Sequence, residues 1–234
     1  MEMKRGAIPS PRHELAAAMP HIPLPQVPPN HLYFPQKLSI WGNDVHGDCV
    51  TAEEAFAKAC YNPEIFIADA EVEKWASAHG WLEGTMPINA LKAMHKKGFS
   101  QDQHTYNDGA YHSVNWTDAA TLQSAIYSGP VKIGIAADQL QAVCQAYGFL
   151  KNGWFATGFK EDAHYDHCVS LCGYGTINWL AQQMNVVVSQ GVDGTQPGYA
   201  LFTWGSIGII DVPSMLAITG EAWLRTPTTV ILPG

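Results

Sequence analysis

Helical periodicity dominates the first half of the chain. From Asp48 onward, the segment VTAEEAFAKACY collects its apolar residues on one face, and Asp48 is a plausible N-cap for the helix that this pattern predicts. Glu53 and Glu54 fall in the first turns, where the helix dipole tolerates acidic side chains. Further helices are predicted at residues 68–79, at 87–97 and at 118–128, with a short helical piece around HELAAAM.

Patterns typical of strands occupy the second half. The runs PVKIGIAA, DHCVSLCG, NVVVS and YALFTWG are rich in β-branched and aromatic residues and are separated by turns that contain Gly or Asn. Residues 1–40 are rich in proline and indicate an extended N-terminal arm. Helices followed by strands predict an α+β chain with two lobes.

Composition excludes several classes of protein. Hydrophobic residues make up 47% of the 234 residues and charged residues only 15%, which is typical of a folded globular chain. The net charge of −8 and the absence of long basic runs argue against nucleic acid or an anionic membrane surface as a partner. No stretch has the length of a membrane span or the apolar core of a signal peptide, so a cytoplasmic location is the default expectation, with secretion still open.

The five cysteines favour free thiols over a disulfide framework, because their number is odd and their spacing sparse. Cys49 stands apart, since it lies where the loop NDVHGD passes into the predicted helix. A helix N-terminus supplies partial positive charge and free N–H groups, which favour a thiolate. His167 lies far downstream on a predicted strand and could exchange a proton with that thiol.

Asn43 lies on the loop that leads to Cys49. A tetrahedral oxyanion formed at Cys49 would need a donor beside the backbone N–H of Cys49, and the Asn43 amide is a candidate for it. An Asn that caps a turn explains the same spacing equally well.

Two motifs give the chain a resemblance to papain-like (C1-type) cysteine peptidases. The family pattern Q-G-x-C-G-S-C-W around the nucleophile aligns with N-D-V-H-G-D-C-V, which places Asn43 on the oxyanion Gln and Cys49 on the nucleophile. The family pattern D-H-A-V-x-x-V-G-Y-G aligns with the segment DHCVSLCGYG, which begins at Asp166 and contains His167. Weaker similarities extend the resemblance over about residues 43–205.

The resemblance implies a papain-like α+β fold with two lobes. The helical lobe, at 41–112, would carry the Cys helix, and the β-rich, barrel-like lobe, at 113–234, would carry the histidine, with the arm lying across them. Cys49 would face His167 across a cleft that binds an extended peptide, with Gly84 and Asp166 assigned to that cleft. Asp166 is read from the strand pattern as a surface carboxylate, because neighbouring strand residues point to opposite faces. The implied activity is hydrolysis of peptide or amide bonds in a peptide or protein substrate.

The sequence departs from the family where the orienting residue of the histidine is expected. The family has N-S-W-G there, and this chain has F-T-W-G, so that Phe202 falls on the Asn position. With a shift of one residue Thr203 could donate or accept toward His167, and Trp204 could shield the Cys–His pair from water. Val50 replaces the aromatic that normally follows the nucleophile, and no inhibitory propeptide is apparent.

Three alternatives remain open at this stage. The pairs His46–Cys49 and His164–His167 could in principle form a zinc site, although the strand match favours the peptidase interpretation, for which we expect no metal and no cofactor. The acyl-thioester could instead react with an amine, which would give an acyl transferase or peptide ligase. A non-catalytic protein that uses the fold for binding is the third alternative. The sequence does not indicate an oligomeric state.

Overall fold

The computed structural model describes residues 3–227 and 229–233. In these residues the helices and strands follow the α+β order that the sequence predicts. The helices are α1 (Arg12–Ala17), α2 (Cys49–Ala59), α3 (Asp69–His79), α4 (Pro87–Lys96), α5 (Ala119–Ser128), α6 (Asp138–Tyr147), α7 (Ile177–Gln183) and α8 (Val212–Ile218). The strands are β1 (His31–Leu32), β2 (Phe99–Gln101), β3 (His104–Asn107), β4 (Ala110–Ser113), β5 (Val131–Ile135), β6 (Phe155–Ala156), β7 (His167–Thr176), β8 (Pro197–Thr203), β9 (Ser206–Asp211), β10 (Thr219–Thr226) and β11 (Val230–Pro233).

A large sheet forms the second half of the molecule. Its strand order is β4-β10-β5-β7-β8-β9-β6, with β1 paired to β7, and only the pair β6–β9 is parallel among the pairs of this sheet. A smaller sheet has the order β11-β3-β2. Helix α2 packs against β7, the central strand, so the elements predicted to carry the thiol and the imidazole are neighbours.

Two apolar clusters support this arrangement. One lies within the sheet half and includes Leu122, Ile133 and Leu201. The other joins helix α2 to the opposite face of the sheet and includes Phe56 and Ile207. Because α2 is buried along its whole length, its first residue is held in a fixed position relative to the sheet.

The predicted helices are confirmed, with ends that differ by a residue. Helix α3 ends at Gly80, which adopts the left-handed conformation, and the side chain of Asp118 accepts from the Thr121 N–H at the start of α5. Asp48 does occupy the N-cap position of α2, but its carboxylate makes no capping hydrogen bond. The predicted N-cap position is therefore confirmed, and the backbone carbonyl of Asp48 accepts from the N–H groups of Thr51 and Ala52.

The strand predicted for NVVVS, residues 185–189, was wrong. Asn185 ends the turn after α7 with a positive φ of 54°, and Val186 to Ser189 run as irregular chain. Val187 is 90% exposed, so β-branched residues here reflect no buried strand. The sequence boundaries at 40/41 and 112/113 stay predictions, and residues 1, 2, 228 and 234 of those ranges lie outside the described residues. Among the described residues, no helix combines the length and the apolar character needed to cross a bilayer.

Candidate active site

Cys49 is the first residue of helix α2. The loop before it is closed by backbone hydrogen bonds from Val45 and His46 to the Gly42 carbonyl, at 2.9 and 2.8 Å. This turn places the Cys49 thiol at the N-terminus of α2, where unpaired backbone N–H groups and the helix dipole favour negative charge. The side chain is nevertheless only 2% exposed.

His167 is the first residue of β7 and lies opposite Ile135 on β5. Its ring stacks on the indole of Trp204, with the ring centroids 4.3 Å apart and the planes inclined by 15°. Its Nε2 lies 2.8 Å from Oγ1 of Thr203. The imidazole is therefore fixed on one side by an aromatic face and at its far nitrogen by a hydroxyl.

A tight turn places Thr203 and Trp204. Strands β8 and β9 are joined through Trp204 and Gly205, whose φ angles are 43° and 71°. Positive φ at both central residues matches the type I′ turn that fits the twist of a hairpin. Because this turn follows Thr203 directly, the hydroxyl and the indole approach the same imidazole.

The structure places Phe202, the residue at the position of the missing Asn, in the core rather than at the imidazole. Its ring stacks on the ring of Phe56, with the centroids 4.0 Å apart, and contacts the Trp41 indole edge to face, with the centroids 5.7 Å apart. Successive strand residues face opposite sides of a sheet, so Thr203 faces His167 when Phe202 faces α2. The shift of one residue considered for the sequence is the arrangement observed.

The strand that carries His167 packs against Cys49. Cys168, the next residue of that strand, belongs to one small apolar cluster with Cys49. Among the described residues, however, Nδ1 of His167 is buried and has no hydrogen-bond partner. The thiol therefore lies against the residue next to His167, and no hydrogen bond joins it to the imidazole.

Burial keeps both groups neutral in this arrangement. Desolvation raises the pKa of the Cys49 thiol to about 12, although backbone N–H donors act in the opposite direction. Desolvation lowers the pKa of His167 to about 3, and the nearby positive charge of Arg5 lowers it further. The pair is a thiol and a neutral imidazole here, rather than a thiolate and an imidazolium.

Asn43 lies on the loop that leads to Cys49, and its amide is engaged. The side chain is 2% exposed, and Nδ2 donates to the His46 carbonyl at 3.1 Å. This bond closes the loop that leads to Cys49, as expected of an Asn that caps a turn. An amide nitrogen carries two hydrogens, and the Asp48 carboxyl is close enough to accept the second.

The sequence did not indicate how Asp48, the residue before Cys49, would be buried. Both carboxylate oxygens are buried without a hydrogen-bond partner among the described residues. Burial raises the pKa of this carboxyl to about 8, and the negative charge of Glu73 raises it further. A carboxyl whose pKa lies near 8 therefore directly precedes Cys49 in the chain.

Asp166 and Gly84, assigned from the resemblance to the substrate cleft, lie on opposite sides of Cys49. Asp166 directs its side chain away from His167 to Arg5, at 2.7 Å, and to the N–H of Ala137, at 3.2 Å. Gly84 has a φ of 125°, which few residues other than glycine adopt, and it leads directly into Thr85. The backbone of the N-terminal residues Gly6 and Ala7 runs between them, and Ala7 packs against the small apolar cluster that contains Cys49.

A buried cluster of charged residues, which the sequence did not indicate, lies behind the site. Glu53 and Glu54 are fully buried and face cations on the sheet. Arg225 donates to Glu53 at 2.6 Å and to Glu54 at 2.8 Å, and Lys132 lies 2.9 Å from Glu53. Asp108, with contacts to Lys58 and Arg225, completes the cluster. Its signal in the sequence was limited to Glu53, Glu54 and Lys58, three charged residues among the mostly apolar residues of α2.

The alternative of a zinc site finds no support in the geometry. Among residues 3–227 and 229–233, no three His, Cys, Asp or Glu side chains converge in a way that could hold a metal ion. His164 is exposed, and the far nitrogen of His167 faces Thr203. The two pairs that suggested zinc therefore do not form one ligand set.

Comparisons with known proteins show the fold. The digestive procathepsin L 3 of Tenebrio molitor larval midgut matches at a TM-score of 0.61 and 14% identity, over 95% of this chain and 76% of that one. Xylellain, a cysteine protease from Xylella fastidiosa, matches at a TM-score of 0.60 and 13% sequence identity, over 96% of this chain and 97% of that one. The bromelain protease from Ananas comosus, in complex with the E64 inhibitor, matches at a TM-score of 0.58 and 11% sequence identity, over 85% of this chain and 99% of that one.

The fold is that of papain-like cysteine proteases, as the sequence predicted. At these identities the likeness extends to the fold alone. No protein-family model and no curated sequence matches the chain.

Proposed function

We propose that this protein is a cysteine hydrolase of peptide or amide bonds, with Cys49 as the nucleophile. The observation that carries the proposal is the packing of Cys49, at the start of α2, against Cys168 at the start of β7, where Thr203 and Trp204 hold the His167 ring. A thiol at a helix N-terminus beside an oriented imidazole is the arrangement that nucleophilic catalysis needs. The structural likeness to cysteine proteases supports the same conclusion.

The reaction begins with transfer of the Cys49 proton to Nδ1 of His167. The thiolate attacks the carbonyl carbon of the substrate, and the carbonyl electrons move to oxygen, where Asn43 and the backbone N–H of Cys49 donate to the oxyanion. His167 then gives its proton to the leaving nitrogen, and the C–N bond breaks. The acyl group remains on sulfur as a thioester.

Water completes the cycle. His167 removes a proton from the water, whose oxygen attacks the thioester, and the C–S bond breaks to release a carboxylic acid and the Cys49 thiol. Thr203 acts throughout by accepting from Nε2–H, so that Nδ1 is the nitrogen that exchanges protons. A hydroxyl thereby takes the position that an amide holds in the family the sequence resembles.

The test compares wild type with Cys49→Ala on a library of fluorogenic peptides. We expect turnover in the wild type that falls to background in Cys49→Ala and is unchanged in Cys144→Ala, which removes a buried thiol from α6. Alkylation by the E64 epoxide, the inhibitor bound to the bromelain neighbour, should add one thioether at Cys49. Equal turnover in wild type and Cys49→Ala would exclude Cys49 as the nucleophile.

One observation favours a non-catalytic binding protein as a second candidate. The pKa of Cys49, raised to about 12 by burial, describes a thiol that does not ionise at neutral pH in this arrangement. A binding protein predicts that Cys49 reacts no faster than Cys144 even when its surroundings are opened to water. The hydrolase predicts a reactive thiol once the N-terminal residues above it move away.

A further inference from the structure

The side-chain amide of Asn43 has two hydrogens, and three groups can accept them. One hydrogen is donated to the His46 carbonyl at 3.1 Å. The second is the hydrogen that the proposed reaction directs to the oxyanion, and the Asp48 carboxyl is close enough to accept it instead. The strength of Asp48 as an acceptor therefore decides whether the second hydrogen is available to a substrate.

The carboxyl of Asp48 does not act as a cap for helix α2. Although Asp48 occupies the N-cap position, its carboxyl accepts no hydrogen bond from the first turn of the helix. The side chain is only 1% exposed, so bulk water does not solvate it. Within residues 3–227 and 229–233, neither of its oxygens has a hydrogen bond of good geometry. The carboxyl thus lies near the Asn43 amide without being bonded to it.

Gly42 separates Asp48 from a second carboxyl group. A Cβ on Gly42 would lie 3.1 Å from Oδ2 of Asp48 and 3.1 Å from Oε1 of Glu73. Glu73 belongs to α3, so the two carboxyl groups approach from different elements across a residue that has no side chain. Asp44, on the same loop as Gly42, adds a further negative charge. The charged groups that face Asp48 are therefore acidic, and among the described residues no ion pair joins it to a cation.

These surroundings favour the neutral form of Asp48. Burial without a cation disfavours a carboxylate, and the like charges of Glu73 and Asp44 disfavour it further. The dipole of α2 acts in the opposite direction but does not outweigh them, and the pKa of Asp48 is raised to about 8. The charge of this carboxyl therefore changes within the pH range in which proteins are stable.

The two charge states of Asp48 leave different donors for the oxyanion. A carboxylate accepts a charge-assisted hydrogen bond, which is about twice as strong as one between neutral groups. An ionised Asp48 therefore accepts the second hydrogen of Asn43, and it adds a negative charge near the place where the oxyanion would form. A protonated Asp48 is a weaker acceptor and adds no charge.

We propose that Asp48 is a positioning residue for the oxyanion donor, which leaves the Asn43 amide free when it is protonated and engages that amide when it is ionised. This rests on the proposed function, which takes Asn43 as a donor to the oxyanion. Asp48 touches no substrate in this role and acts through Asn43 alone. The loss of activity at high pH is then set by a carboxyl group, in addition to any ionisation of Cys49 or His167.

The test follows the Asn43 amide directly. Its side-chain ¹⁵N and ¹H signals are recorded from pH 6 to pH 10 in full-length wild type, Asp48→Asn, Glu73→Gln and the control Asp102→Asn. We expect a titration with a midpoint near pH 8 in the wild type and none in Asp48→Asn. Glu73→Gln should lower the midpoint, because a negative neighbour is lost. Asp102→Asn, which removes an exposed carboxyl between β2 and β3, should leave the midpoint unchanged.

The pH dependence of kcat/KM is the second measurement. On a peptide that the wild type hydrolyses, the decline of kcat/KM from pH 7 to pH 9.5 should be at least about tenfold smaller in Asp48→Asn than in the wild type, since loss of an oxyanion donor costs about a hundredfold or more. A role of Asp48 in stability alone would change activity by a similar factor at each pH at which the protein is folded.

The outcomes separate this inference from the proposed function. An Asn43 titration together with a decline that Asp48→Asn suppresses supports both. An Asn43 titration without turnover at any pH supports the coupling of Asp48 to Asn43 and refutes the hydrolase. A flat Asn43 signal in the wild type overturns the inference, as does an equal decline of kcat/KM in Asp48→Asn, and neither result bears on Cys49 as the nucleophile. If Asp48→Asn does not fold, Glu73→Gln decides, because an unmoved midpoint also overturns the inference.

Discussion

Helix α2 passes two buried polar regions that are built in opposite ways. At its N-terminus, Cys49 and His167 are neutral, and the inner nitrogen of His167 has no partner among the described residues. Farther along the same helix, Glu53 and Glu54 form ion pairs with Lys132 of β5 and Arg225 of β10. Burial is complete in both regions, so partners rather than exposure decide whether charge survives.

The contrast between these two regions shows where the protein leaves buried polar groups without a charged partner. Although burial raises the pKa of Glu54, the charges of Arg225 and Lys132 more than offset it and leave that pKa lowered. No such partner is supplied to Cys49, Asp48 or His167. The paired region fixes the helix, and the unpaired region is the part left able to respond to a ligand or a proton.

The largest expected effect comes from breaking the paired region. Arg225→Ala would leave Glu53 and Glu54 with Lys132 as the main remaining cation, and removing one partner of a buried ionic cluster costs about 3–5 kcal/mol. Urea denaturation should show this loss in the free energy of unfolding. Lys74→Ala, which removes an exposed pair with Glu71, is the matched control and should be close to neutral. A loss below about 1 kcal/mol for Arg225→Ala would show that the cluster is not held by charge pairing.

A second prediction concerns the unpaired Asp48. Its folded-state pKa of about 8 exceeds its unfolded value near 4, so the folded state binds the extra proton between these limits. Stability from this group is present below about pH 4 and is lost as pH rises to about 8, at no more than about 1.4 kcal/mol per pH unit. Asp48→Asn removes the titration, and its advantage over wild type should grow from pH 5 to pH 8 and then level off.

Thermal unfolding at pH 5, 7 and 9 checks this prediction for Asp48. Asp44→Asn removes the same formal charge from a partly exposed carboxyl on the same loop and controls for the change in net charge. A difference between Asp48→Asn and wild type that is constant across pH would contradict a raised pKa at this position.

The smallest expected effect lies at the orienting hydroxyl. Thr203→Val keeps the shape of the side chain and removes the oxygen that lies 2.8 Å from His167. On a peptide that the wild type hydrolyses, we expect kcat/KM to fall about ten- to hundredfold, or ~1.4–2.7 kcal/mol, with KM little changed. Thr203→Ser retains the hydroxyl and should recover most of the rate. If Thr203→Val is as active as its parent, the hydroxyl does not orient the imidazole.

Local patterns sufficed for the elements that carry the site. The apolar face after Asp48 predicted α2, and the apolar run from His167 predicted β7, because both signals lie within about ten residues. The position of Thr203 was also accessible from sequence, since a strand of alternating faces cannot turn both Phe202 and Thr203 to the imidazole. Whether these residues act as proposed is left to the experiments above.

Contacts between residues that are far apart in the chain could not be predicted from the sequence. Glu53 and Glu54 were read as acids favoured by the helix dipole, but their partners Lys132 and Arg225 are contributed by strands far along the chain. Helical periodicity carries no information about such partners. The path of residues Met3 to Ser10 could not be predicted either, because backbone groups and the absence of side chains at Gly6, Gly47 and Gly84 create its contacts.

The close packing of Gly6 on Gly47 has a consequence for how the chain tolerates changes near its N-terminus. A Cβ on Gly6 would lie 1.7 Å from the carbonyl oxygen of Gly47, and the Lys4 N–H donates to the Asn43 carbonyl at 3.0 Å. A larger residue at position 6 must therefore move one of these two backbone segments. Because Gly47 lies two residues before Cys49, a substitution far away in sequence would change the surroundings of the thiol.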